Sequence, residues 1–183
     1  LDVLRQRWPA APDVTVLCGS GNNAGDGYVL ARRAAQQGLD ASVIALAAPE
    51  TLAGDAASAC ADYRAAGGTI ESWSAGATLP GDGPLVDGLL GTGLDRALEG
   101  RYAEAVEAMN ACGRPVLALD IPTGLHADTG RVLGVAVQAT VTVCFIGLKL
   151  GLFTGRGRAF AGDVVFAGLD VPERLEAGLE PAA

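Results

Sequence analysis

The sequence predicts an α/β protein built on an open, mostly parallel sheet with helices on both faces. Three observations predict it. Short β-branched runs alternate with longer alanine-rich stretches along the chain, the pattern of repeated βαβ units. Several of the short runs are apolar throughout, as parallel strands buried on both faces must be. The first run is followed at once by a glycine-rich polar loop and then a helix, an order that brings backbone N–H groups up to a phosphate.

The elements follow in order. Leu1, Val3, Leu4 and Trp8 read as the end of a helix. Val14–Cys18 is the first strand, and Gly19 to Asp26 form its loop. A helix is expected over Asp26–Gln37, stopped by Gly38. Strand Ala41–Leu46 leads to a helix over Thr51–Ala66, with Thr51 as N-cap and Gly67 beyond its end. Thr69–Ser72 and Pro84–Val86 are short strands. A helix over Arg101–Cys112 precedes the strands Val116–Leu119, Ala139–Phe145 and Val164–Ala167, and a short helix is expected at Glu173–Ala177. No internal repeat or linker divides residues 1–183, which read as a single domain.

Composition narrows the function. Half of the 183 residues are hydrophobic and 19% are charged, with a net charge of -8. That balance suits a globular core and disfavours large nucleic-acid or anionic-membrane surfaces. No apolar run reaches membrane-spanning length, and the start shows no charged-then-apolar leader pattern. Cys18, Cys60, Cys112 and Cys144 form no CxxC pair and read as reduced thiols of a cytoplasmic protein.

In an open parallel sheet, ligands bind beyond the carboxyl ends of the strands. Three of those ends carry glycines beside carboxylates or carboxamides. The first has Asn22, Asn23 and Asp26; the second has Asp87 and then Gly91 to Arg96; the third has Asp120, Pro122, Thr123 and Gly124. A loop that only held phosphate would need glycines and free amides, so these side chains indicate a second guest. Asp87 and Asp120 at apolar strand ends need a partner, a hydrogen bond or a cation, although a cap or Asx-turn would also satisfy them. Oxygen ligands without His or Cys suit a hard cation. Asp87 is expected in a surface loop, where its loss would cost little stability. Lys149 could reach a ligand phosphate or simply snorkel. His126 reads as a loop residue, and Ser20 lacks a base. An ordinary dehydrogenase is disfavoured, because the second strand ends Ala45-Leu46-Ala47-Ala48 without a ribose-binding acid.

Three ordered motifs carry a resemblance. Gly21-Asn-Asn-Ala-Gly-Asp-Gly27, Asp87-Gly-Leu-Leu-Gly-Thr-Gly-Leu94 and Leu119-Asp-Ile-Pro-Thr-Gly124, with Asp128-Thr-Gly130, resemble the NAD(P)H-hydrate epimerase family, the YjeF N-terminal type of domain. The resemblance runs from about Val14 to Pro172. It implies a three-layer α/β/α Rossmann-like sandwich, commonly a homodimer. The implied activity is interconversion of the R and S forms of hydrated NADH and NADPH, the first step of a metabolite repair. A fused or separate dehydratase then acts on the S form. By the family pattern, Asn22, Asn23, Ala24, Gly25 and Asp26 would contact the dinucleotide. Gly91, Thr92, Gly93, Leu94, Asp95, Arg96, Ala97 and Asp120 would join them. Asn23, Asp87 and Thr123 would hold one potassium ion. Ala24 and Thr123 stand where the family usually has glycine and serine, so a positive φ at Ala24 would strain the loop. Set against the family pattern, most of the N-terminal helical segment that members carry before this strand is expected to be missing ahead of Val14.

For such a reaction Asp120 is the expected general acid/base, and Arg96 or Arg101 is an expected contact for a 2′-phosphate through a bidentate hydrogen bond. The alternative is a non-catalytic nucleotide-binding or protein-interaction module on the same fold.

Overall fold

The computed structural model describes residues 1–168. The chain runs α1 (Asp2–Arg7), β1 (Asp13–Cys18), α2 (Asn22–Gln36), β2 (Asp40–Ala45), α3 (Gly54–Ala65), β3 (Ile70–Ser72) and β4 (Leu85–Gly88). It continues through α4 (Gly100–Ala111), β5 (Val116–Leu119), β6 (Val141–Phe145), α5 (Gly157–Ala161) and β7 (Asp163–Ala167). The strands form one seven-stranded sheet in the order β3-β2-β1-β4-β5-β6-β7, and every pairing is parallel. The order grows outward from β1 to β3, then restarts on its other side at β4. The β1/β4 boundary is therefore the switch point at which the following loops diverge and leave a crevice.

Strand periodicity sorts the core into layers. Val14, Val16 and Cys18 point to one face and pack with Tyr28, Leu30 and Tyr63 of α2 and α3. Leu17 points to the other and packs with Leu85, Val106 and Met109 under α4. A third cluster gathers Ile121, Leu125, Leu152 and Phe160 around Cys144.

Four local expectations change. α2 begins at Asn22 rather than Asp26, because Gly21 takes an extended cap conformation and the chain turns helical at once. Gly25 and Gly27 thus lie inside the helix, where they serve packing: a Cβ at Gly27 would stand 2.9 Å from Cys18 Sγ. Thr51 is not an N-cap. It sits in a 3₁₀ turn (Pro49–Thr51), its hydroxyl donates to Ala48 O at 2.7 Å, and α3 starts only after Ala53. Gly54, at φ 57, blocks an earlier start. β4 runs on to Gly88, which puts Asp87 inside the strand, in register with Leu17 and Ala118. The sequence reading has no counterpart for α5, and the helix expected at Glu173–Ala177 lies outside the described residues.

The amino-terminal end of the sheet is closed by one arginine. Arg114 donates to Gly83 O at 2.6 Å, Pro80 O at 2.7 Å and Thr15 Oγ1 at 3.1 Å. Beside it, the Asp13 carboxylate accepts the N–H groups of Asp82 (3.1 Å) and Gly83 (2.9 Å). Among the described residues, no helix is long and apolar enough to cross a membrane.

Candidate active site

The carboxyl ends of β1, β4, β5 and β6 open onto one cleft of about 1870 Å³. Its walls are the start of α2, the loop Leu89–Glu99, Asp120 and the segment Phe145–Leu150. The β1 and β4 loops leave the sheet in backbone contact. Gly19 N–H donates to Gly88 O at 3.1 Å, and any Cβ on Gly19 would collide with the Leu89 carbonyl oxygen. That close approach explains the glycine directly after β1.

Most of the expected ligand contacts converge here. Asn22, Asn23, Gly25, Asp26, the whole of Gly91–Ala97 and Asp120 line the cleft. Ala24 does not; its side chain is fully buried in the α2 core layer. It is helical, and φ is positive among the described non-glycine residues only at Asp120 and Ile146, so the anticipated loop strain is absent. Arg96 lines the cleft, whereas Arg101 is drawn off it and donates to Trp73 O at 3.0 Å.

The three oxygen-bearing residues proposed for a cation meet beneath the cleft floor. Asp87 is fully buried. Its Oδ1 accepts the Thr123 hydroxyl at 2.7 Å and Leu89 N–H at 3.2 Å, and its Oδ2 accepts Thr123 N–H at 2.8 Å. Leu90 N–H donates to Thr123 Oγ1 at 3.0 Å, and Asn23 Nδ2 donates to Leu90 O at 3.1 Å. Asn23, Thr123 and Asp87 are thus joined through the backbone of Leu90. Asn23 Oδ1 is buried without a hydrogen-bond partner among the described residues, an unusual condition for a polar atom. Burial pushes the Asp87 carboxyl up to about 6, with the Thr123 and Leu89 hydrogen bonds opposing. Asp87 is therefore no surface-loop residue. Removing it would leave the Thr123 and Leu89 N–H groups stranded, at a cost of roughly 1–3 kcal/mol.

Asp120 occupies the end of β5 at φ 67, its N–H donating to Val143 O at 2.7 Å. Phe145 N–H donates to its Oδ1 at 3.2 Å, and the Lys149 ammonium donates to the same oxygen. Lys149 also donates to Phe145 O at 2.8 Å. It therefore departs from both sequence readings and forms an ion pair with Asp120. Burial, and then the neighbouring Asp120 carboxylate, push the Asp26 carboxyl above its ordinary range. The cleft thus offers an anchored carboxyl group at Asp120, a second carboxyl group at Asp26 beside it, and an oxygen-lined pocket below. His126 accepts Asp128 N–H at 3.2 Å within its own loop, and Ser20 lines the cleft rim.

The family model described as YjeF-related protein N-terminus matches residues 1–151. An NAD(P)H-hydrate epimerase of Rhodopirellula baltica is 42% identical, over 89% of this chain and 68% of its own. One from Limosilactobacillus fermentum is 35% identical, over 91% and 79%. A bifunctional NAD(P)H-hydrate repair enzyme of Coxiella burnetii is 40% identical over 93% of this chain, which spans only 35% of that relative. The crystal structure of yeast YNL200c superposes with a TM-score of 0.79 at 19% identity, covering 100% of this chain and 81% of that one, a likeness of fold. Matched by the family model over most of its length, the chain belongs to the family of YjeF-related protein N-termini.

Proposed function

We propose that this chain is an isomerase that interconverts the R and S forms of hydrated NADH and NADPH at C6 of the nicotinamide ring. Its relatives' names support the reading, and one observation in the structure carries it. Asp120, at the end of a central strand, is tethered through Oδ1 at the wall of a dinucleotide-sized cleft, and its Oδ2 has no hydrogen-bond partner among the described residues. A carboxyl held this way can pass a proton to and from a bound ligand.

The carbon to be inverted bears a ring nitrogen and a hydroxyl. A proton delivered from Asp120 to the hydroxyl lets the C6–O bond break as water leaves. The nitrogen lone pair forms the C=N bond of a planar iminium. Water then adds to the opposite face and returns its proton to the carboxylate, so nothing is consumed. The α2 N-terminus, which carries no side-chain cap, offers N–H groups to the pyrophosphate. Asn22, Asp26 and the segment Gly91–Ala97 enclose the rest of the ligand. Asn23, Asp87 and Thr123 fit a potassium ion, because the orphaned Asn23 Oδ1 and the buried Asp87 carboxylate are the hard oxygen donors such an ion takes. When bound, it supplies positive charge under the ligand-binding loops.

We take residues 1–183 as one domain, working as a homodimer in the cytoplasm beside a fused or separate dehydratase. The purified R epimer tests the reading. Conversion to S above the spontaneous rate is expected, whereas a binding module would retain dinucleotide without turnover.

A further inference from the structure

Lys149 is the only lysine in the chain, and a distinctive piece of backbone brings it to its place. β6 ends at Phe145, and Ile146 takes φ 63, a conformation that β-branched residues rarely adopt. Gly147 N–H donates back to Phe145 O at 2.6 Å. The chain thus folds over on the strand end, and Lys149 returns to donate to Phe145 O and Asp120 Oδ1. Only 17% of the Lys149 side chain and 18% of Asp120 remain exposed. Asp120 and Ile146 are the two non-glycine residues at positive φ among the described residues, and both flank this contact. Backbone strain of this kind persists where the surroundings over-determine it, and it concentrates at functional sites.

We propose that Lys149 is a positioning residue: it fixes the plane of the Asp120 carboxylate through Oδ1 and leaves Oδ2 for the reacting hydroxyl and water. The proposal rests on the function proposed above. With Phe145 N–H on the same oxygen, two donors hold Oδ1 in place, which opposes rotation about χ2. Positioning of this kind acts on turnover rather than on ligand affinity, since misplaced reacting groups lose rate while the binding surface is intact. Lys149 lines the cleft within the Phe145–Leu150 wall, but its ammonium is taken up by Asp120 and Phe145 O. The Leu89–Glu99 wall and the α2 N-terminus, which would enclose most of the dinucleotide, do not involve it.

The test uses the whole chain in two measurements. Lys149→Met keeps the stem and removes the charge. Its kcat should fall about 10- to 100-fold, with KM within about threefold of wild type. Protein labelled with nitrogen-15 at lysine should show one slowly exchanging side-chain ammonium signal, which Asp120→Asn abolishes. This second measurement needs no turnover and stands even where Lys149→Met fails to fold. A rise in KM with kcat unchanged would make Lys149 a ligand contact and overturn the proposal, as would an ammonium signal unmoved by Asp120→Asn. An inactive wild type with the ammonium signal intact would instead contradict the epimerase reading while upholding the contact.

Discussion

Asp87 receives all three of its hydrogen bonds from Thr123 and Leu89, yet burial outweighs them and lifts its carboxyl to about 6. The native state therefore holds this proton more tightly than the unfolded chain does. Its contribution to stability is full below about pH 4 and is lost as pH rises through about 6. In potassium-free buffer each pH unit of that window should remove up to about 1.4 kcal/mol. Denaturant titrations of wild type and Asp87→Asn in choline chloride check this: the part of the slope due to Asp87 should be missing from the variant. Potassium added above that window should stabilise wild type and leave the variant unmoved. Equal slopes and equal potassium responses in the two proteins would contradict both the burial argument and the ion site. The chemistry of Asp87, a carboxylate closing an apolar run, was readable from the sequence. Its depth was not, because β4 extends past the last residue that looks like a strand.

Two contacts between elements make opposite predictions about the cleft. Gly19→Ala should force apart the β1 and β4 loops, whose backbones meet where the Cβ would sit. We expect a loss of about 2–4 kcal/mol in unfolding experiments together with weaker dinucleotide binding, since both loops line the site; retention of full affinity would show that the crevice does not depend on this approach. Arg114→Ala should cost about 1–3 kcal/mol, with turnover per folded molecule unchanged. It strands Gly83 O and takes a donor from Pro80 O and Thr15 Oγ1, which remain bonded to each other, at the far end of the sheet. Altered kcat would contradict a purely structural clamp. The strands were legible as apolar runs because burial on both faces leaves no alternation to misread. Element starts were harder to read. The glycines of Gly21–Gly27 suggest a loop, but their missing Cβ atoms let α2 press against β1 and α3. At five residues, α5 is too short for any period to show.

Across the whole molecule, a parallel sheet gathers residues that lie far apart in the chain. Motifs at three strand ends foretold a common cleft because every strand points the same way. The Lys149–Asp120 pair was not foretold, because it depends on a left-handed turn at Ile146 that nothing in a β-branched residue announces. With a net charge of -8, an anionic dinucleotide must be drawn by local groups rather than by the field of the molecule. Under the proposed function, the groups available for this are the uncapped α2 N-terminus, Arg96 and the proposed cation. The catalytic claim rests on Asp120 and is tested most directly by one measurement, the rate at which the purified R epimer is converted to S, followed by chromatography with the spontaneous rate subtracted. Wild type should exceed background, and Asp120→Asn should fall about 10²- to 10⁴-fold below it with dinucleotide binding retained. Wild-type conversion no faster than background would contradict the epimerase assignment, and full activity in Asp120→Asn would remove Asp120 from the chemistry.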